Sequence, residues 1–212
     1  MRILIIVTFF SCLLIACKNK SADKKSVSEE KIQLADSTKV VKAEKDSILL
    51  KLTNEVLAAF KNKDYKTLAR YIHPEGVRFS PYSFIDSVNN KVISAELIES
   101  WADKKNRSVI LWGNIDATDE PIKGTIDDYI KQFVYDVDFL HPEKIKVNEF
   151  AGQGNTINNL RTFYPGCDFT ESHFSGFEKK YEGMDWRSIR LVYKINDGKY
   201  LLVGVIHDQW TT

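Results

Sequence analysis

Near the C-terminus, Asn196-Asp197-Gly198-Lys199 separates two long alternating runs, Arg187 to Ile195 and Tyr200 to Trp210. An Asp-Gly pair between such runs specifies a β-hairpin with a two-residue type I′ turn. Both central residues need positive φ there, which Gly adopts freely and Asp more readily than most. An unbroken register from that turn sets Tyr193 opposite Leu202 and Arg187 opposite Asp208. Ile189, Leu191, Tyr193, Ile195, Tyr200, Leu202, Gly204 and Ile206 then share one face. A slip of one residue would turn this row outward, so the register should be strongly held.

Upstream the periodicity is helical. Ile48, Leu52, Val56 and Phe60, with Leu49 and Ala59, form one apolar face behind Asp46 or Ser47 as N-cap. Asn62-Lys63-Asp64 ends that helix, and Asp64 caps a short second one that stops before Pro74. Gly76–Ser80 reads as a strand limited by Pro81. Ser94–Ala102 reads as a helix with Leu97, Ile98 and Trp101 inward, and Ser108–Gly113 as a strand. Thr125 and Asp128 form a variant capping box for a helix carrying Ile126, Tyr129, Ile130 and Phe133. Lys144–Val147 and Phe169–Phe174 are extended, and Gly152-Gln153-Gly154-Asn155 reads as a hairpin turn. Helices first and antiparallel strands later indicate an α+β fold, with helices on one face of a curved, mainly antiparallel sheet.

At the other end, Arg2 precedes the apolar run Ile3 to Leu13, followed by Leu14-Ile15-Ala16-Cys17. This is the pattern of a secretory signal, shorter than the ~20 apolar residues of a membrane span. Its ending resembles the lipobox of bacterial lipoproteins. That resemblance implies removal of residues 1–16, acylation of Cys17 with chains such as palmitate, and an extracytoplasmic protein lipid-anchored to the bacterial cell envelope. Loss of Arg2 leaves 29 basic and 29 acidic side chains. Zero net charge argues against nucleic-acid binding and against electrostatic adhesion to lipid, so acyl chains must hold the membrane.

Cys12 leaves with the signal and Cys17 is acylated, so Cys167 is left without a disulfide partner. Residues 17–46, the lipidated cysteine and a charged stretch without aromatics, read as a disordered tether, with a short helix around Ile32 to Val41 as the alternative; its 29 residues after Cys17 would span roughly 30 Å as coil. Residues 47–212 are long enough for one self-sufficient core.

Val56 to Asp64 followed by Leu68 to Pro74 resembles the opening of the NTF2-like, cystatin-like cone fold. Members begin with a long helix, a turn near an Asp and a short helix before a strand, and finish with long antiparallel strands like Arg187–Trp210. Phe174-Ser175-Gly176-Phe177, Gly183-Met184-Asp185-Trp186 and His207 to Thr211 resemble uncharacterised secreted bacterial proteins. The resemblance implies a pocket. It spans enzymes and plain binding modules, so it implies no reaction.

Candidate sites follow from the strands. Arg187 and Asp208, with Tyr193, Trp210 and Trp112, are the ligand-binding candidates; the Arg187–Asp208 pair reads either as a pocket-mouth ligand contact or as a structural salt bridge. Glu171 and His173 share a face, and His207 lies on a nearby strand. Asp208, His207 and His173 are therefore the candidate bases for a small hydrolase or isomerase of the NTF2-like type. Two histidines and a carboxylate are a conceivable zinc set, but the spacing matches no metal signature, and no metal or cofactor is expected. Cys167 reads as a small, partly buried thiol. The favoured function is a non-enzymatic module binding a small molecule, an envelope polymer or a protein, with homodimerisation through the sheet a further possibility.

Overall fold

The computed structural model describes residues 23–211, of which 23–38 are described as backbone only. The signal segment and Cys17 lie outside the described residues. The chain divides into two units, 1–43 and 44–212. What is described of the first is the early part of helix α1 (Asp23–Asn62).

Helix α1 covers residues 23–46, where coil was expected. No Gly or Pro interrupts it, and Lys, Glu, Ala and Leu, which lose little rotamer freedom in a helix, recur throughout. Asp46 and Ser47 consequently lie inside a helix rather than capping one. The second unit also begins before Ser47: Lys45 Nζ is 2.8 Å from Asp168 Oδ1. In this unit α1 buries Leu49, Thr53, Val56, Leu57 and Phe60, while Ile48 is half-exposed. Of the face expected, Leu49, Val56, Ala59 and Phe60 are buried and Leu52 is partly buried against the core, so only Ile48 turns out of it.

Lys63 takes positive φ just past the end of α1. Asp64 then accepts from the Thr67 amide at 3.1 Å and caps α2 (Tyr65–Ala69). There follow β1 (Val77–Ser80), β2 (Lys91–Ile93), α3 (Ala95–Ser100), β3 (Ile110–Asn114), β4 (Pro121–Gly124) and α4 (Ile126–Phe133). The chain continues with β5 (Lys144–Val147), α5 (Leu160–Phe163), β6 (Asp168–Phe174), β7 (Arg187–Asn196) and β8 (Lys199–Gln209). This is a mixed α+β fold. Its six-stranded sheet runs β2-β1-β8-β7-β6-β5, antiparallel except where β1 meets β8, and β3–β4 form a separate hairpin. The capping box at Thr125 and Asp128 is present. On α3, Ile98 and Trp101 are buried, but Leu97 faces outward.

The terminal hairpin is half as expected. Asp197 and Gly198 both have positive φ, and pairing runs regularly from Asn196↔Lys199 to Tyr193↔Leu202. A bulge then leaves Val203 unpaired, and the partners become Val192↔Gly204 onward, ending at Ser188↔Asp208 and Arg187↔Gln209. The extra residue exchanges the two faces of β8 beyond it. Gly204 and Ile206 therefore leave the row expected for them, and Arg187 does not oppose Asp208. Ile189, Leu191, Tyr193, Leu202 and Val205 join the main core with α1, α3 and α4. Val192, Val203 and Ile206 pack on the other face with Phe169 and Leu160.

Candidate functional site

Alternation along β7 and β8 gives each face of this ribbon its own charged cluster. On the helix-covered face, Arg187 begins β7 and His207 lies near the end of β8. Asp136 comes to them from the chain just after α4, where the Tyr135 amide still bonds to Ile130 O. Arg187 Nε donates to Asp136 Oδ2 at 2.9 Å. Its Nη1 donates to the carbonyls of Asp185 and Trp186. His207 is fully buried, edge-on to Phe133. Its Nδ1 meets Pro81 O at 3.3 Å and its Nε2 lies 3.3 Å from Asp136 Oδ1. The second contact is too poorly aligned for a hydrogen bond, and neither atom has another protein partner among the described residues. Burial raises the Asp136 pKa, but His207 and Arg187 together outweigh it and hold the carboxyl below its ordinary value.

Asp136 and Arg187 open into a cleft of about 610 Å3, lined also by Tyr82, Phe133, Phe177 and Tyr181. This size falls within the roughly 300–1,000 Å3 of small-molecule sites. Lys131, Gln132 and Gln209 add polar groups. The site thus combines an ionised acceptor, a fixed donor and aromatic surface.

No protein-family profile and no curated protein matches the chain. Among solved structures, a Xanthomonas campestris protein described as a calcium/calmodulin-dependent protein kinase II association domain is similar, at 12% identity and a TM-score of 0.31. The match covers 74% of this chain and 82% of that one. A likeness so slight assigns neither fold nor function.

The opposite face holds a closed cluster. Arg190 Nη1 lies 2.8 Å from Asp208 Oδ2, and Nη2 lies 3.1 Å from Glu171 Oε1 and 3.1 Å from Gly152 O. Glu171 accepts the Ser188 hydroxyl at 2.7 Å and the amides of Ala151 and Gly152. Ser188 in turn meets His173 Nδ1 at 2.8 Å. The segment between β5 and α5 is therefore bonded onto the sheet, and Gly152-Gln153-Gly154-Asn155 belongs to this cover rather than to a hairpin turn. A Cβ at Gly152 would sit 2.4 Å from the His173 ring, so only glycine allows so close an approach. Burial pushes the Asp208 carboxyl up, with Arg190 opposing, and pushes the His173 imidazole down.

The sequence candidates are accordingly dispersed. Arg187 lines the cleft, with His207 behind its floor. Asp208 and His173 are sealed on the opposite face with Glu171, and His207 shares no site with them. Tyr193 is buried, with its hydroxyl 2.9 Å from Thr53 Oγ1. Trp112 is a core residue, stacked on Tyr129 with ring centres 4.4 Å apart. Trp210 follows β8 and is partly exposed. Burial pushes the Cys167 thiol up, away from the thiolate a nucleophile needs. No group of three or more metal-ligating side chains occurs among the described residues. Asp136 went unnoticed because it lies in an irregular segment, where periodicity assigns no facing.

Proposed function

We propose that this protein is a lipid-anchored, extracytoplasmic bacterial lipoprotein whose folded unit is an NTF2-like, non-enzymatic binding module. The lipobox-like Leu14-Ile15-Ala16-Cys17 supports the anchor. The element order supports the fold family: a long helix α1, a turn at Asp64, a short α2 leading to a strand, and long antiparallel strands β7 and β8 at the end. The cleft carries the functional reading. Its floor carboxylate, Asp136, is held ionised beside Arg187, which suits it to accept hydrogen bonds from a ligand. A general acid or base working near neutrality would need its pKa raised instead.

Native mass measurement of the full chain purified from its host membranes tests both parts. We expect acyl mass on Cys17, lost with the Cys17→Ser variant, and a co-purified small molecule or polymer fragment lost with Arg187→Met. Acylation surviving in Cys17→Ser would overturn the anchor. A hydrolytic or isomerising activity lost with Asp136→Asn would replace the binding module with an enzyme.

A further inference from the structure

We propose that the cleft binds a neutral saccharide, a deduction that rests on reading the cleft as a binding site. Its aromatic surface is exposed without being loose. Phe177 and Tyr181 are 52% and 42% exposed, on the connection between β6 and β7. That connection is pinched at its base by Gly176 and Gly183, both at positive φ; a Cβ at Gly176 would lie 3.0 Å from Gly183 Cα. Asp185 Oδ2 ties it further by accepting from the Glu178 amide at 2.8 Å. The rings are therefore held in place before any ligand arrives, which lowers the ordering cost of binding.

The charges of the lining are mixed, Lys131 and Arg187 against Asp136, Glu178 and Asp185, and favour no simple ionic ligand. Asp136 is matched by Arg187, and Glu178 by Lys180 at 2.7 Å. An anion would approach Asp136, and a cation would approach Arg187. Arg187 Nε and Asp136 Oδ2 are spent on each other at 2.9 Å; what remains for a ligand is the donor Arg187 Nη2, which bonds to no described residue, beside the second lone pair of Asp136 Oδ2. Two adjacent hydroxyls, each able to donate and accept, match that pattern. The Gln132 and Gln209 amides extend it. A pyranose ring carries such hydroxyls around its rim and an apolar C–H face suited to Phe177 or Tyr181.

Calorimetric titration of the full chain in detergent tests this, using neutral oligomers of glucose, galactose, mannose and N-acetylglucosamine, a glucuronate-containing oligosaccharide, and tripeptides. We expect one neutral series to bind, with a loss of at least tenfold in affinity for Phe177→Ala, Tyr181→Ala and Arg187→Met. Neutral-sugar binding that all three variants leave intact would overturn the proposal. Glucuronate or tripeptides binding through these residues, with neutral sugars inert, would overturn the saccharide while leaving the cleft a binding site. No binding by any probe would remove both.

Discussion

Each face of the β7–β8 ribbon carries one arginine, and the fold treats the two in opposite ways. Arg190 is wholly enclosed between Glu171 and Asp208 under the segment that follows β5. Arg187 retains 28% of its side-chain exposure, bonds to one carboxylate, and lines an open cleft. The enclosed cluster spends its hydrogen bonds on its own side chains and on the backbone of its cover. The open pair keeps capacity for an outside partner. Position relative to cover, more than charge, separates a structural ion pair from a candidate site.

Removing Arg190 should give the largest effect. Arg190→Met leaves two carboxylates buried without their cation, a loss of about 3–5 kcal/mol where a buried pair is broken from one side. The triple variant Arg190→Met, Glu171→Gln, Asp208→Asn should lose less than the single one, because no uncompensated charge remains. Arg187→Met should cost less, since it strands one carboxylate rather than two and Asp136 keeps 15% of its side-chain exposure. Urea unfolding of the three proteins measures this, and equal losses for the two arginines would break the comparison.

Next in size is Gly152→Ala. The new methyl meets the His173 ring, and overpacking of this kind costs about 1–3 kcal/mol. Shrinking the ring's side, as His173→Ala, should return part of that loss in the double variant. Additive losses would mean that the covering segment shifts freely, and the enclosed face would then be no better fixed than the open one.

The near half of the hairpin was legible in the sequence but this contrast was not, and the failures have local causes. The Asp197-Gly198 turn specified pairing as far as Tyr193↔Leu202, because turn chemistry acts over short range. The bulge at Val203 defeated the remainder. Gly204, a glycine inside a strand, was its only local signal, since such residues often mark bulges, but it also fits a space left for a ligand. Period-two alternation correctly placed Glu171 beside His173. Arg190, the cation of Glu171 and Asp208, was hidden among Ile189, Leu191 and Val192, where nothing local separates a buried charge from an apolar run. On α1 only Ile48 was misplaced, because Ile48, Leu49 and Leu50 are adjacent and equally apolar.

Acid and base titrations should separate the two clusters by sign. Asp136 has its folded-state pKa below the unfolded value, so it binds fewer protons when folded. Its stabilisation is present above about pH 3.9 and is lost as pH falls toward the folded pKa. Asp208 has a raised folded-state pKa, so stability falls as pH climbs from about 3.9 through that higher value. His173, depressed by burial, contributes stability above about pH 6.5 that is lost as pH falls through its folded pKa. Unfolding free energy measured across pH for Asp136→Asn and Asp208→Asn should therefore differ from the parent with opposite slopes. Slopes of the same sign would show that the two carboxylates share one environment.

The smallest effect on stability should come from the rim of the cleft, and there smallness is the informative result. Phe177 and Tyr181 are half-exposed, and neither belongs to a buried cluster. Truncating a surface side chain usually changes stability by no more than ~0.5 kcal/mol. Phe177→Ala and Tyr181→Ala should thus unfold at nearly the parent urea concentration. Phe177 does touch Phe174, with ring centres 5.4 Å apart, so its loss should be the larger of the two. If both variants are as stable as the parent and yet lose ligand, two large apolar rings are being kept at the surface for contact with something outside the chain. A loss above 2 kcal/mol for either would place that ring in the core, and the open face of the ribbon would then resemble the enclosed one.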